Sequence, residues 1–202
     1  MPEIYLASRS PRRQELLAQL GVAYDVLPLR EGPGRRRDVG EVPRKDEPAL
    51  DYVKRVALAK ASVGWLRMGQ RALPPRPVLG ADTEVVLDGA IFGKPDDAMD
   101  AVRMLALLSG RTHDVLTAVG VCWERQVALV VSSSRVTFRA LPREEIERYV
   151  ATDEWQGKAG GYAIQGRAAA FASRLEGSYS GVMGLPLYET AEILARIGFP
   201  VL

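Results

Sequence analysis

The sequence has little of what most nucleophilic and zinc-centred enzymes are built on. Its 202 residues include one cysteine, Cys122, and one histidine, His113. A lone cysteine excludes an internal disulfide, and one Cys with one His cannot furnish a Cys/His zinc site. Ser–His and Cys–His schemes would have to run on His113 alone, and its neighbour Asp114 falls in no spacing that makes a triad. An excess of one charge sign is also missing. Lys+Arg 27 against Asp+Glu 25 leaves a net charge of +2, too balanced for a surface devoted to neutralising nucleic acid, so no nucleic-acid partner is expected. No apolar run approaches a membrane span, and the opening MPEIYLASRSPRR lacks the apolar stretch of a signal peptide. The expectation is a cytoplasmic protein with no membrane partner. Internal repeats are absent and no linker divides the chain, so residues 1–202 are expected to form one domain. What is present is ordinary: hydrophobic residues make up 47% and charged residues 26%, ample for a core. Chemistry is then left to carboxylates, amines, guanidiniums and amides, a set that also admits a hard metal.

Apolar periodicity and turn signals lay out a mixed α/β chain. A short buried strand over 4–7 runs into Ser10 and Pro11. These fit the cap and first position of a helix, with the serine oxygen accepting from an orphan amide. Leu16, Leu17 and Leu20 share one face of that helix, and Gly21 stops it. A second strand is predicted over 22–29. The polar stretch 30–47 follows, with Gly32, Gly34 and the run Arg35, Arg36, Arg37, and reads as a mobile, solvated loop. Tyr52, Val53, Val56, Ala57 and Ala61 then mark a helix reaching about Met68. A strand over 78–87 turns at Asp88-Gly89 into a partner over 90–92, and Pro95-Asp96-Asp97 opens a helix that runs through Leu108 to Gly110. Two β runs over 114–123 and 127–138, a helix over 142–151, a stretch with Gly157, Gly160, Gly161 and Gly166, and an amphipathic helix over 186–197 complete the chain. Trp65, Trp123 and Trp155 are dispersed and read as packing residues. Strands and helices interleave irregularly around at least one hairpin, which predicts an α/β fold on a mixed sheet.

Four segments carry chemistry. Ser8-Arg9-Ser10-Pro11-Arg12-Arg13 lies at a strand-to-helix junction, where free amides and the dipole attract an anion. Arginines in a first turn oppose that dipole, and a local choice that costs stability marks function. Asp82, flanked by Val78, Leu79, Ala81 and Val85, interrupts a strand that otherwise reads as buried. An ionised Asp there is a structural ion pair, a general base or a metal ligand. Alternation turns its neighbour Thr83 to the opposite face unless the strand bulges. Lys60 in an apolar helix and Lys94 at a strand-to-helix junction would, taken singly, be snorkelling surface lysines. The segment KAGGYAIQG over 158–166 matches no phosphate-loop pattern. Its glycines permit close backbone approach and Gln165 offers a donor–acceptor pair suited to a base edge, the structural alternative being a tight turn.

LASRSPRRQELLAQLG, YVKRVALAKA, VLGADTEVVLDG with the following GKP, LSGRTHDVLTAV, KAGGYAIQG and EGSYSGVMGLPLYET together span nearly the whole chain. In this order they resemble the Maf family of nucleoside triphosphate pyrophosphatases. The resemblance implies a curved mixed sheet flanked by helices with a substrate cleft, similar to the inosine triphosphate pyrophosphatases. It also implies hydrolysis of a nucleoside triphosphate to the monophosphate and pyrophosphate with a divalent cation, Mg²⁺ or Mn²⁺. Residue by residue, it makes Asp82 the proton acceptor and Ser8, Arg12, Arg13, Lys60 and Lys94 the triphosphate contacts. Glu41 and Asp82 become the metal-side acids. The loop before Glu41 carries extra residues around Gly32 to Arg37, and Glu31 and Glu47 on either side of Glu41 compete with it for the same family position. Arg12, Thr83 and Gln165 are similar to the dTTP/UTP subgroup. The sister subgroup acting on 7-methyl-GTP has an aromatic residue, Gln and Glu at those positions. A homodimer is a further implication of the resemblance. A competing reading is a regulator of cell division that binds nucleotide or nucleic acid through Arg12, Arg13 and the Arg35, Arg36, Arg37 run without catalysis, whose signature would be salt-sensitive DNA retention.

Overall fold

The computed structural model describes residues 3–30 and 37–201. Residues Gly32, Gly34, Arg35 and Arg36, together with Glu31, therefore lie outside the described residues. Six strands form the path β2 (Ala23–Val26), β1 (Glu3–Leu6), β3 (Val78–Leu87), β5 (Thr112–Trp123), β6 (Gln126–Phe138) and β7 (Ala172–Glu176), while β4 (Ala90–Phe92) pairs β3 off this path. β1 is parallel to β2 and β3, and the remaining pairs are antiparallel. The sheet is mixed, as the interleaving predicts.

One edge of β3 positions the site. Along its other edge β5 pairs it from Val78 to Val86. On the near edge β1 pairs only Val78 and Leu79, and β4 only Val85 to Leu87. Between these two partners the strand residues 80–84 have no neighbour on this edge among the described residues, because β1 ends at Leu6, where the chain turns away into α1 (Pro11–Gln19), and β4 begins only after the Asp88-Gly89 turn. Both turn residues have positive φ, 52° and 80°, the backbone that a two-residue hairpin requires.

Helix α2 (Ala49–Gln70) lies across one face of β3 and β5, burying Tyr52, Val53, Val56, Ala57, Lys60, Ala61, Gly64 and Met68. It sits close because Gly80 and Gly120 face it: a Cβ on Gly80 would come within 2.5 Å of Ala61 N and 2.7 Å of Ala57 O. On the opposite face, Thr83, Thr117 and Ser132 are in register across β3, β5 and β6. This polar row separates two apolar clusters. One gathers Leu79, Ala81, Val119 and Val121 with Leu16 and Leu17 of α1 and Ile193 and Leu194 of α6 (Leu187–Arg196). The other gathers Val85, Val115, Val136 and Phe138 with α3 (Ala98–Leu108) and α4 (Arg143–Val150). Apolar burial is the main favourable term on each side.

Three expectations need correction. Ser10 holds the cap position of α1 but its side chain makes no cap bond; instead Ser8 Oγ accepts from Ser10 N at 3.2 Å. The described part of the 30–47 loop is pinned, not loose: Asp38 accepts from Arg67 and from Arg30 N, and Glu47 pairs with Arg55 at 2.6 Å. The second strand is four residues long, because beyond Val26 the chain leaves the sheet. Besides two short 3-10 turns over Ala159–Gly161 and Arg167–Ala170, two elements have no prediction at all, the edge strand β7 and the five-residue α5 (Tyr179–Met183). Both are too short and too polar for periodicity to register.

Candidate active site

Asp82 sits in the stretch of β3 that is open on one edge, on the face covered by α2. Lys60 reaches it from one helix turn beyond Ala57, with Nζ 2.9 Å from Asp82 Oδ1. The same ammonium lies 2.6 Å from Glu41 Oε1, and Lys94 Nζ lies 3.8 Å from Glu41 Oε2. Four residues that the sequence scatters over fifty positions thus form one acid–base chain, Asp82–Lys60–Glu41–Lys94. Lys60 is therefore not a snorkelling surface lysine; it is 8% exposed. Glu47 pairs with Arg55 and takes no part in the chain. Burial alone would push the Glu41 carboxyl up, but Lys60, Lys94 and Arg13 outweigh it and hold it below the usual carboxylate range. Lys60 fixes Asp82 Oδ1 and leaves Asp82 Oδ2 buried without a hydrogen-bond partner among the described residues.

A second carboxylate shares this face of β3. Glu84 stands two residues on, is 8% exposed, and its Oε2 also has no partner among the described residues. Burial and the neighbouring Asp82 push its carboxyl up to about 8. Sequence reasoning passes over Glu84, although residues i and i+2 of a strand share a face. The acids also act on Tyr52 of α2: its phenol is pushed up by burial and then by Glu84, Asp82 and Glu41.

On the opposite face, Arg13 from the first turn of α1 enters the polar row. Its Nε donates to Gly184 O at 2.9 Å, Nη1 to Ser8 Oγ at 3.3 Å and Nη2 to Thr83 Oγ1 at 3.3 Å. All three acceptors are neutral, so the guanidinium is oriented without being neutralised by a contacting acid. Thr117 Oγ1 lies 3.0 Å from Thr83 Oγ1 and 2.7 Å from Gly181 O. A hydroxyl has one proton to give, so Thr117 and Thr83 orient each other. Thr83 does face away from Asp82, as alternation requires. Arg12, half-buried, is brought down to about 10 by burial and by Arg13. Lys158 is lowered by burial, then by Arg12 and Lys94, and its ammonium donates to Gln156 O at 3.0 Å. Gln165 is exposed and makes no hydrogen bond among the described residues; Thr83 is engaged by Arg13 and Thr117.

The donor set is all oxygen, which suits a hard divalent cation. Among the described residues no group of three His, Cys, Asp or Glu is arranged to hold a metal ion. A Mg²⁺-type site completed by phosphate oxygens needs only one or two carboxylates, and two buried carboxylate oxygens are free here. The residues fit a cation that arrives with a phosphate ligand. Among the described residues no helix is long and apolar enough to cross a membrane.

The chain is similar to known proteins over nearly its whole length. The family description "Maf-like protein" matches residues 3–197. The dTTP/UTP pyrophosphatase of Nitrosospira multiformis is 56% identical over 191 residues, covering 95% of this chain and 92% of that protein. Those of Aromatoleum aromaticum, 53% identical over 199 residues with 98% and 97% covered, and Nitrosomonas europaea, 51% identical over 198 residues with 98% and 96% covered, are similar throughout. Among solved structures, that of the Staphylococcus aureus Ham1 protein overlaps 67% of this chain and 71% of its own, with a TM-score of 0.43 and 15% identity. A match over 3–197 together with relatives above half identity leaves one conclusion: the chain belongs to the Maf family.

Proposed function

We propose that this protein hydrolyses dTTP and UTP to the monophosphate and pyrophosphate. The activity is the one in the names of the relatives, and one observation carries it to this chain. Asp82 has one oxygen held by Lys60 and the other free, in the stretch of β3 open on one edge. A carboxylate so oriented takes a proton from water at Oδ2. As the water oxygen bonds to phosphorus, the α–β bridging P–O bond breaks and pyrophosphate leaves with the electron pair. Arg13, Arg12, Lys60 and Lys94 supply the positive charge that phosphoryl transfer requires, with Ser8 and Thr83 holding the Arg13 guanidinium in place. A divalent cation, when bound, neutralises phosphate charge, and Asp82 and Glu41 are the family-implied acids to hold it. Arg12, Thr83 and Gln165 support the pyrimidine reading. A neutral amide at Gln165 suits the imide edge of uracil or thymine, which presents both a carbonyl and a ring N–H.

Pyrophosphate release over dTTP, UTP, CTP, ATP and GTP with Mg²⁺ or Mn²⁺ tests this reading. The expected result is pyrophosphate from dTTP and UTP, abolished by a chelator. Orthophosphate as first product, full activity in chelator, or DNA retention without turnover would overturn it.

A further inference from the structure

Resting on the reading of a cation-assisted triphosphate hydrolase, we infer that Glu84 is a ligand of the divalent cation, leaving Asp82 Oδ2 to take the proton from water. The reasoning starts from the free oxygens. Lys60 occupies Asp82 Oδ1 at 2.9 Å and Glu41 Oε1 at 2.6 Å, and Lys94 lies 3.8 Å from Glu41 Oε2. Glu41 therefore has each oxygen on a lysine, and Asp82 has one oxygen for two tasks, base and ligand. The remaining buried carboxylate oxygen on this face is Glu84 Oε2, unpartnered among the described residues and on a side chain only 8% exposed. Asp82 and Glu84 stand at i and i+2 on one strand, which directs both carboxylates to the same side of the sheet. A buried acid without a partner is costly, and a second such acid beside the first is costlier unless a cation joins them. Lysine does not meet that need, since among the described residues Glu84 forms no ion pair with Lys60 or Lys94, whose contacts are Asp82 and Glu41. Two buried carboxylates with a free oxygen each, completed by phosphate oxygens, are what a hard divalent cation accepts.

The test measures Mn²⁺ affinity by electron paramagnetic resonance in the presence of a non-hydrolysable α,β-methylene UTP, separately from turnover. Glu84→Gln is expected to weaken Mn²⁺ binding by at least about tenfold, the scale on which changes around metal ligands act. Glu84→Asp keeps the charge but draws the carboxylate back, so a loss there as well separates ligation from simple charge attraction. Glu189 also has a buried unpartnered oxygen, Oε2, but lies on α6; Glu189→Gln is expected to leave Mn²⁺ affinity unchanged. Unchanged affinity in Glu84→Gln would overturn the inference. Should either Glu84 variant fail to fold, the wild-type protein decides. Crystals grown with Mn²⁺ and the analogue are expected to show an anomalous peak bonded to a Glu84 oxygen, and a peak bonded only to Asp82 and Glu41 overturns the proposal. Wild-type protein that binds Mn²⁺ through Glu84 yet releases no pyrophosphate from dTTP or UTP would instead fail the proposed activity and keep the site. Turnover with Mn²⁺ affinity indifferent to Glu84 would do the reverse.

Discussion

Asp82 is bound at one oxygen and free at the other, and this asymmetry gives its substitution a definite outcome. Asp82→Asn keeps the shape, and Lys60 keeps Glu41 at 2.6 Å as a partner, so the buried ammonium is not abandoned and the fold should survive. Loss of proton acceptance should lower kcat by about 10²–10⁴, the usual contribution of a positioned base. Turnover and thermal unfolding measured on the same preparation check both halves. A folded variant with near-full activity would remove Asp82 from catalysis, and an unfolded one would make the Lys60 pair structural. The sequence shows Asp82 as an anomaly, since a carboxylate among Val78, Leu79, Ala81 and Val85 has to be explained. It does not show which lysine answers it. Lys60 and Lys94 each look ordinary alone, and only the packing of α2 on β3 brings Lys60 to Asp82. Glu84 was present to be read from strand alternation, but its lack of a partner is a property of the folded neighbourhood and has no sequence signature.

At the scale of elements, α2 and β3 are legible in the sequence nearly to their ends, because one has helical apolar spacing and the other is an apolar run interrupted at Asp82. Their separation is legible only in hindsight, through Gly80. That glycine lets the helix backbone lie on the strand. Of the three atoms its Cβ would meet, Ala61 N at 2.5 Å and Ala57 O at 2.7 Å are backbone and cannot swing aside, and the third is Lys60 Cβ at 2.7 Å. Gly80→Ala should therefore push the helix off and carry Lys60 away from Asp82. Overpacking of this kind costs about 1–3 kcal/mol, and a displacement on the order of 1 Å at the site costs about 10² in rate. Urea unfolding with steady-state kinetics reads both. Loss of stability with unchanged kcat would mean the helix yields without moving Lys60. By contrast, β7 and α5 left no periodic trace, yet α5 supplies Gly181 O to Thr117 and the residue after it, Gly184, supplies its carbonyl to Arg13. Short irregular pieces hold the polar row together by their backbone carbonyls, which are the same in every sequence.

Over the whole molecule, the site draws on residues from Ser8 to Lys158, so it is intact only while the two apolar clusters on either side of the Thr83–Thr117–Ser132 row stay packed. His113 is one of the joints. It is 2% exposed on β5, its Nε2 lies 2.8 Å from Tyr162 Oη, and it meets Phe138 and Tyr162 edge to face. Tyr162 belongs to the segment that carries Lys158 and Gln165. Burial brings the His113 imidazole down from 6.5 to about 4. With the folded value depressed, the unfolded chain binds more protons than the native one between pH 6.5 and about 4, so stability falls as pH falls through that window. The full shift corresponds to about 3 kcal/mol at most. Glu84 acts in the opposite sense over much of the same window: its carboxyl, pushed up to about 8, keeps its proton in the native state while the unfolded chain loses it above about 4.5, so its contribution grows as pH falls. Urea unfolding at pH 7.5, 6.5, 5.5 and 4.5 on the wild type and on a His113 variant isolates the histidine, because Glu84 and the other carboxylates are common to both. His113→Gln, which keeps a hydrogen-bonding group for Tyr162 but does not titrate, should be less stable than the wild type at pH 7.5, and the gap between the two should shrink across the last three points. A variant retaining the wild-type slope would assign the acid sensitivity to carboxylates, and the joint between β5 and the Gln165 segment would then be indifferent to pH.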